Sequence, residues 1–430
     1  MADTADIIVL GSGAGGLSAA VTAAARGLRV LVLEKDAVLG GTTAWSGGWI
    51  WAPGNHHAVQ AGIKEPEGAP RRYLEAVLGR HFDAARVDAF LAAAPEMVAF
   101  FEAETALAFQ GGFAIPDTYG HQPGAGVAGR SVIAAPYDAR GLGSAIDLLR
   151  KPLRETTFLG MTIQAGPDLR AFMTMTRSLQ ALRHATGRVL RHMRDLALHG
   201  RGMDLRNGNA LAARLIRSAL DLGVDLRTGV TVTALNIDSA GAVRGVVLRD
   251  GTVLRARCAV VLACGGAPHP AARADGLALG AAHRSLAVPG AVGDGMSLAR
   301  GAGPALGTNS RQPAALCPVS EVPWPDGRRG LFPHIIERGK PGVIGVLANG
   351  RRFCNEGLGY HDYVEALLAA VPEGTPAESW LICDHRFLRR FGLGVVRPQP
   401  VPWRGWLRRG YLRMGRTPAE LALACGIDQE

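Results

Sequence analysis

The sequence predicts an α/β fold with a Rossmann-type unit at its N-terminus, and three observations carry that expectation. Residues 6–34 read strand, glycine-rich turn, helix, strand in succession. A second glycine-rich stretch, GGTTAWSGGWIW from Gly40 to Trp51, follows almost at once. Residues 207–266 read as an amphipathic helix and then three strands, ending in the turn Cys264-Gly265-Gly266.

Bulk composition bounds the rest. The 430 residues suit two domains, or one large domain with an insertion. Apolar residues make up 48% and charged residues 20%, so a sizeable core is expected rather than disorder. The formal net charge is +10, nearly all of it arginine. The arginines are scattered and form no recognition motif, which argues against a nucleic-acid partner. Their densest cluster runs from Arg386 to Arg416, interleaved with Trp403, Trp406 and Tyr411. It reads as a solvated face, or as a peripheral membrane contact where a lipophilic substrate arrives. The six cysteines are far apart and form no metal or redox spacing, which fits a reducing cytoplasm. His56 and His57 are adjacent without metal spacing, so no metal is expected. No charged n-region precedes an apolar core, and no apolar run is long enough to cross a bilayer.

In the first unit, DIIVLG is strand-like and LSAAVTAAARG is helix-like. Between them Gly11, Ser12, Gly13, Ala14, Gly15 and Gly16 form the phosphate-binding turn. Gly11 permits the tight turn, Gly13 lets the backbone approach a pyrophosphate, and Gly16 lets helix and strand pack closely. The helix N-terminus offers free N–H groups to the phosphates. Glu34 ends the second strand, where it can accept hydrogen bonds from a ribose diol and disfavours a 2′-phosphate.

The second stretch decides between dinucleotides. An NAD enzyme would continue into its next βα unit here. A bare loop at Gly40 and Gly41 instead suits the extended pyrophosphate and ribityl chain of FAD. Thr42, Thr43 and Ser46 can donate hydroxyls to it, while Gly47 and Gly48 let backbone approach a ring edge-on. Trp49 and Trp51 either wall an apolar cleft or pack the loop down.

These motifs resemble one family. GSGAGG, Glu34-Lys35, GGTTAWSGG, LACGG (262–266), GDGMSLARGAG (293–303) and GRRFCNE (350–356) match the FAD-dependent fumarate reductase and 3-ketosteroid dehydrogenase flavoproteins in order. The resemblance implies a Rossmann-type FAD-binding domain with an inserted α+β cap (substrate) domain. The FAD-binding domain would cover 1–290, with a helical excursion at about 55–200, and the cap 291–430. It also implies that Ser46–Gly48 lie near the reactive edge of the flavin and Val232 near the adenine. Cys264, Gly265 and Gly266, and then Gly293 and Asp294, would return to the dinucleotide. The family's final glycine-rich segment has no counterpart in residues 370–430, so the chain is expected to be truncated at its C-terminus.

The same resemblance carries catalytic candidates. The fourth residue after Glu356 is Tyr360, where the steroid branch places a tyrosine base and the fumarate branch an arginine. Tyr363 is the rival if the register shifts. Tyr119, before a Pro-Gly turn, is a supporting tyrosine, or an exposed loop residue. His334 reads as structural. Residues 131–143 and 332–345 read as loops facing the site, and 173–198 as one amphipathic helix of core packing.

The leading expectation is a dehydrogenase that introduces a C=C bond next to the carbonyl of a lipophilic, steroid-like ketone and passes electrons to an external acceptor. One alternative is a reductase of an activated alkene acid, with Arg352 or Arg338 as the substrate arginine. Another is a catalytically incomplete FAD-binding fragment.

Overall fold

The computed structural model describes residues 4–269, 283–303, 314–372 and 374–428. The N-terminal unit folds as read: β1 (Thr4–Leu10), α1 (Ala14–Ala24) and β2 (Val30–Leu33). Then come β3 (Trp49–Trp51), α2 (His56–Gln60), α3 (Ala69–Leu78), α4 (Ala84–Glu104), β4 (Phe109–Gly111), β5 (Ser131–Ala134) and β6 (Tyr137–Asp138). Next are α5 (Pro167–Thr174), α6 (Leu179–His199), β7 (Asp204–Leu205), α7 (Asn207–Asp221) and β8 (Asp225–Arg227). β9 (Val232–Ile237), β10 (Val243–Leu248) and β11 (Val253–Leu262) are the three strands expected from the sequence. The distal part holds α8 (Asp294–Gly301), β12 (Val319–Pro323), β13 (Arg329–Pro333), β14 (Val343–Val346), α9 (Tyr360–Ala370), β15 (Trp380–Cys383), α10 (His385–Phe391), α11 (Arg404–Arg408) and α12 (Pro418–Cys425).

One six-stranded sheet organises the first part, in the order β8-β2-β1-β11-β10-β9. The β8, β2, β1 and β11 pairings are parallel, and β10 joins β11 and β9 antiparallel. β2 is buried at all four residues, as a parallel strand covered on both faces must be. One side of the sheet packs on Leu17, Ala20 and Val21 of α1, with Leu215, Ile216 and Ala219 of α7 behind them. The other side packs Ile8, Leu10, Leu31, Leu33, Val246 and Leu254 against Leu298 of α8. The distal part is built on two antiparallel strand pairs, the hairpin β12–β13 and β14–β15 with α9 between its strands in sequence, and α10 to α12 follow.

Three sequence expectations need correction. The excursion is not purely helical, because its β4 and β5 pair with β3, just ahead of it, in a separate antiparallel sheet. Residues 131–134 are the central strand of that sheet rather than a loop, with Val132, Ile133 and Ala134 buried between its two neighbours and the core. In the same way, 343–346 form β14 rather than a loop. The stretch 173–198 is two helices, since Ser178 leaves the helical region and caps α6 by accepting the Ala181 N–H.

His56 and His57 converge on one carboxylate, their Nε2 atoms 2.9 and 3.0 Å from Glu102 Oε2. Spacing along the chain hides this, because Glu102 lies far along at the end of α4. His334 is buried in a chain of hydrogen bonds to Glu337 (2.6 Å) and Ser320 (2.8 Å), and Ser320 continues it to Tyr411 (2.7 Å). All its ring nitrogens are therefore engaged inside the distal part. In the same region Trp406 and Tyr411 pack edge-on, while Arg404 and Arg409 lie over Trp403 and Trp406.

Candidate functional site

The carboxyl end of β1, the start of α1 and the end of β2 bound a cavity of about 630 Å³. That volume lies in the range of small-molecule sites. Its walls bring together Gly11, Ser12, Gly13, Ala14, Gly15, Glu34, Lys35, Gly41, Thr42, Thr43, Val232, Cys264, Gly265 and Asp294 from the sequence reading. Gly16, Gly40, Ser46, Gly47, Gly48, Gly266 and Gly293 do not line it.

Each turn has a local cause. Gly11 has φ +99°, and a Cβ there would sit 2.5 Å from the Ala263 carbonyl oxygen. Gly16 touches no ligand space; its Cβ would lie 2.0 Å from Gly11 O, so bareness here lets α1 close on the turn. Ser12, fully buried, ties three pieces together. Its backbone N–H and hydroxyl both donate to Glu34 Oε2, at 3.0 and 2.5 Å, and its Oγ accepts from the Gly40 N–H at 3.1 Å. Glu34 Oε1 accepts from the Asp36 N–H. The acid at the end of β2 is thus preset in orientation before any ribose meets it.

Thr43 does something the sequence did not reveal. Its Oγ1 accepts the Ala14 N–H at 2.9 Å, so a residue from the second glycine stretch caps α1. Thr42 Oγ1 accepts the Val288 N–H at 3.2 Å, which draws the segment before α8 over the cavity. Thr43→Val should remove the α1 cap at a cost of about 1 kcal/mol. A thermal melt and the flavin-to-protein ratio would register it, both lower than in the parent protein.

Gly48 was expected to be bare for a ring. The structure gives another reason: its Cβ would fall 2.5 Å from Gly208 N and 2.6 Å from Asn207 C, so bareness here seats the loop on α7. Gly208 reciprocates, with a Cβ position 1.9 Å from Thr43 O. Ser46 Oγ donates to Thr43 O and accepts the Gly48 N–H. Ser46 and Gly47 remain exposed beyond the cavity. Trp51 packs rather than opening a cleft, stacked on Phe90 at 5.9 Å with its indole N–H on Asp117 Oδ1 at 2.7 Å.

At the opposite wall Lys35 forms an ion pair with Asp294, and Gly293 with φ +86° starts α8 there. Burial, with Asp294 and Glu34 adding to it, pushes the Cys264 thiol up to about 11. Cys264 is therefore a neutral thiol, with its Sγ 3.5 Å from Leu10 O.

These residues fit FAD. The cradle pairs a helix N-terminus for phosphate with an oriented acid for ribose, and Gly13 and Gly41 bring bare backbone to the cavity wall between them. A dinucleotide such as FAD presents both a pyrophosphate and a ribose diol to such a cradle.

The tyrosines lie elsewhere. Tyr360 is the first residue of α9, half-buried. The turn before it meets the Tyr119 loop: a Cβ on Gly359 would be 3.3 Å from the Thr118 carbonyl oxygen. The Tyr119 N–H donates to the Tyr73 hydroxyl at 3.2 Å. Burial raises Tyr360 above the ordinary tyrosine value, with Cys317 adding to it. Burial also raises Tyr119, helped by Asp362 and then Tyr360. Tyr363 is sealed off at 1% exposure, edge-on to Phe353 and hydrogen-bonded to Ser379 at 2.9 Å.

Arg338 and Arg352, the candidate ligands for an alkene acid, are both engaged within the protein. Arg338 is 1% exposed, bonded to the His334, Ile335 and Glu356 carbonyls with its guanidinium over the Tyr363 ring. Arg352 is paired with Glu356.

Known proteins are similar to this chain in sequence and fold. A family described as FAD binding domain matches residues 6–421. The 4-oxocyclohex-2-ene-1-carboxylate 5-dehydrogenase of Sinomonas cyclohexanicum is 34% identical, over 98% of this chain and 72% of its own length. The 3-oxosteroid 1-dehydrogenase of Mycobacterium tuberculosis is 31% identical, over 98% of this chain and 76% of its own. The solved 3-ketosteroid delta1-dehydrogenase of Sterolibacterium denitrificans, in complex with 1,4-androstadiene-3,17-dione, superposes with a TM-score of 0.85 at 29% identity. That match covers 99% of this chain and 77% of the other. A flavocytochrome c3 fumarate reductase shares the fold, at TM-score 0.57 and 18% identity, over 99% of this chain and 59% of that one. The chain belongs to the FAD-binding flavoprotein dehydrogenases, in the group that holds the 3-oxosteroid and oxocyclohexene-carboxylate dehydrogenases.

Proposed function

We propose that this protein introduces a C=C bond beside the ketone of a six-membered ring, with Tyr360 as the base. The observation that carries the reading is Tyr360, half-buried at the start of α9, with the Tyr119 loop against it. The relatives support the substrate class, because a 3-oxosteroid and a 4-oxocyclohexene carboxylate share an oxo group on a six-membered ring. The lead substrate is a lipophilic, steroid-like ketone, and electrons leave to an external acceptor.

FAD bound in the cradle supplies the hydride acceptor. Tyr360 takes the proton from the carbon beside the carbonyl, which the ketone acidifies. The N-terminus of α9 places its positive end at Tyr360 and favours the phenolate. Tyr119 steadies that phenolate from the adjoining loop. Gly11–Gly15, Glu34, Lys35, Gly41–Thr43, Val232, Cys264, Gly265 and Asp294 would hold the cofactor; Gly16, Gly40, Gly266 and Gly293 shape the turns behind them, and exposed Ser46 and Gly47 would meet the flavin edge. The cofactor domain takes in residues 1–290 together with α8, which packs on its sheet, and the part after α8 closes over the substrate.

A pH profile tests the base. Tyr360 must lose its proton to act, and burial holds its pKa above the ordinary value of about 10. Between pH 7 and pH 10 the phenolate fraction grows about tenfold per unit, so kcat/KM should climb throughout and reach no plateau below about pH 10. A flat profile across that range would remove Tyr360 from the role.

A further inference from the structure

Helix α6 has its polar face inside and its apolar face outside. Its buried residues are Ala181, Ala185, Arg188, His192 and Asp195, one face at helical spacing. The three charged or polar ones are fully engaged below. Arg188 donates to both Asp168 oxygens at 2.7 and 2.6 Å and lies 3.2 Å from Asp204. His192 bonds to Leu159 O at 2.9 Å, and Asp195 accepts from Arg140 at 2.6 Å. Burial opposes the Asp168 charge, but the His184 and Arg188 hydrogen bonds outweigh it and keep the carboxyl below its usual range. The helix is therefore pinned in this orientation and cannot roll its leucines inward.

The opposite face carries Leu179, Leu182, Leu190 and Met193, exposed by 86%, 41%, 64% and 47%. At 3.6 residues per turn these four fall within about a quarter of the circumference. Scattered exposed apolar residues need no explanation, but an aligned stripe marks an interaction surface. Arg183, Arg191 and Arg194 are exposed beside the stripe. Arg183 and Arg191 have no carboxylate partner among the described residues, and Arg194 only approaches Asp195 at 3.6 Å. The helix has a single acid, Asp195, and it points inward.

We propose that α6 docks the protein on an anionic lipid surface, with the stripe in the acyl boundary and the arginines at the headgroups. Charge decides the occupant. A second copy would set arginine against arginine along the stripe, whereas anionic headgroups complement it. Among the described residues no helix is long and apolar enough to cross a membrane, so contact here is in the plane of the surface.

Vesicle flotation of the full chain tests this. The protein should float with phosphatidylcholine–phosphatidylglycerol vesicles, float poorly with phosphatidylcholine alone, and be released by salt. The double variants Leu190→Glu/Met193→Glu and Arg183→Glu/Arg191→Glu should each lose about tenfold or more in vesicle affinity. Their melting curves should match the parent, because the altered side chains are exposed. Arg404→Glu/Arg408→Glu/Arg409→Glu, on the other basic surface, should keep binding. Absence of flotation with anionic vesicles overturns the proposal, as does unchanged flotation of both α6 variants. A dimer by light scattering that Leu190→Glu/Met193→Glu dissociates would assign the stripe to a second copy and overturn it too.

Discussion

Tyr360→Phe is expected to lower turnover of a ring ketone by about 10²–10⁴-fold while the protein keeps its flavin absorbance. The phenylalanine fills the same half-buried space at the start of α9 but has no oxygen to take the proton. The hydroxyl lies outside the dinucleotide cavity, so cofactor content should be unchanged. Tyr363→Phe is the informative contrast. Its hydroxyl bonds to Ser379 and is sealed from solvent, so its loss should cost about 1 kcal/mol of stability and leave turnover within a few-fold. Steady-state rates with a thermal melt separate the two. If Tyr363→Phe is the inactive variant, the base has been misassigned by one helical turn.

Gly16→Ala is expected to empty the cofactor site. The added methyl would lie 2.0 Å from Gly11 O and 3.3 Å from the Ala263 Cβ. Neither neighbour can yield cheaply, since one is backbone of the tight turn and the other sits at the end of β11. The helix must back away from the turn, at about 1–3 kcal/mol of overpacking strain. The N–H groups at the start of α1 move with it, and each 1.4 kcal/mol lost in phosphate binding weakens FAD about tenfold. Purified variant should carry far less flavin than the parent and melt lower. Full occupancy would mean that α1 does not hold the phosphates in the way its packing implies.

Much of the cofactor cradle was legible because it is local. The strand, turn, helix and strand of residues 4–33 are written in glycine spacing and apolar runs, and they fold with that layout. The α7–β11 stretch was legible for the same reason: an amphipathic helix and three strands joined by short Asp/Gly turns. What sequence could not show are contacts between distant residues. Thr43 caps α1 from outside the first unit, Ser12 links Glu34 to Gly40, and Gly48 is bare because Gly208 approaches it. Nothing in the local pattern at Thr43 or Gly48 encodes the partner. Helix α6 misled for a related reason, because its leucines and methionine imply burial only if the polar face is free to turn outward. Asp168 and Arg140 hold that face inward. Tyr360 and Tyr119 are legible only through the family resemblance, because their loops, 241 residues apart in sequence, meet through Gly359 and Thr118.

On the proposed function, the FAD-loaded protein oxidises a ring ketone beside its carbonyl. Anaerobic mixing with a 3-oxosteroid, with 4-oxocyclohexanecarboxylate and with succinate, followed by flavin absorbance, tests it most directly. At least one ring ketone should bleach the flavin, succinate should not, and the same ketone should leave the Tyr360→Phe flavin oxidised. Flavin that stays oxidised with both ring ketones, or that succinate bleaches instead, would contradict it.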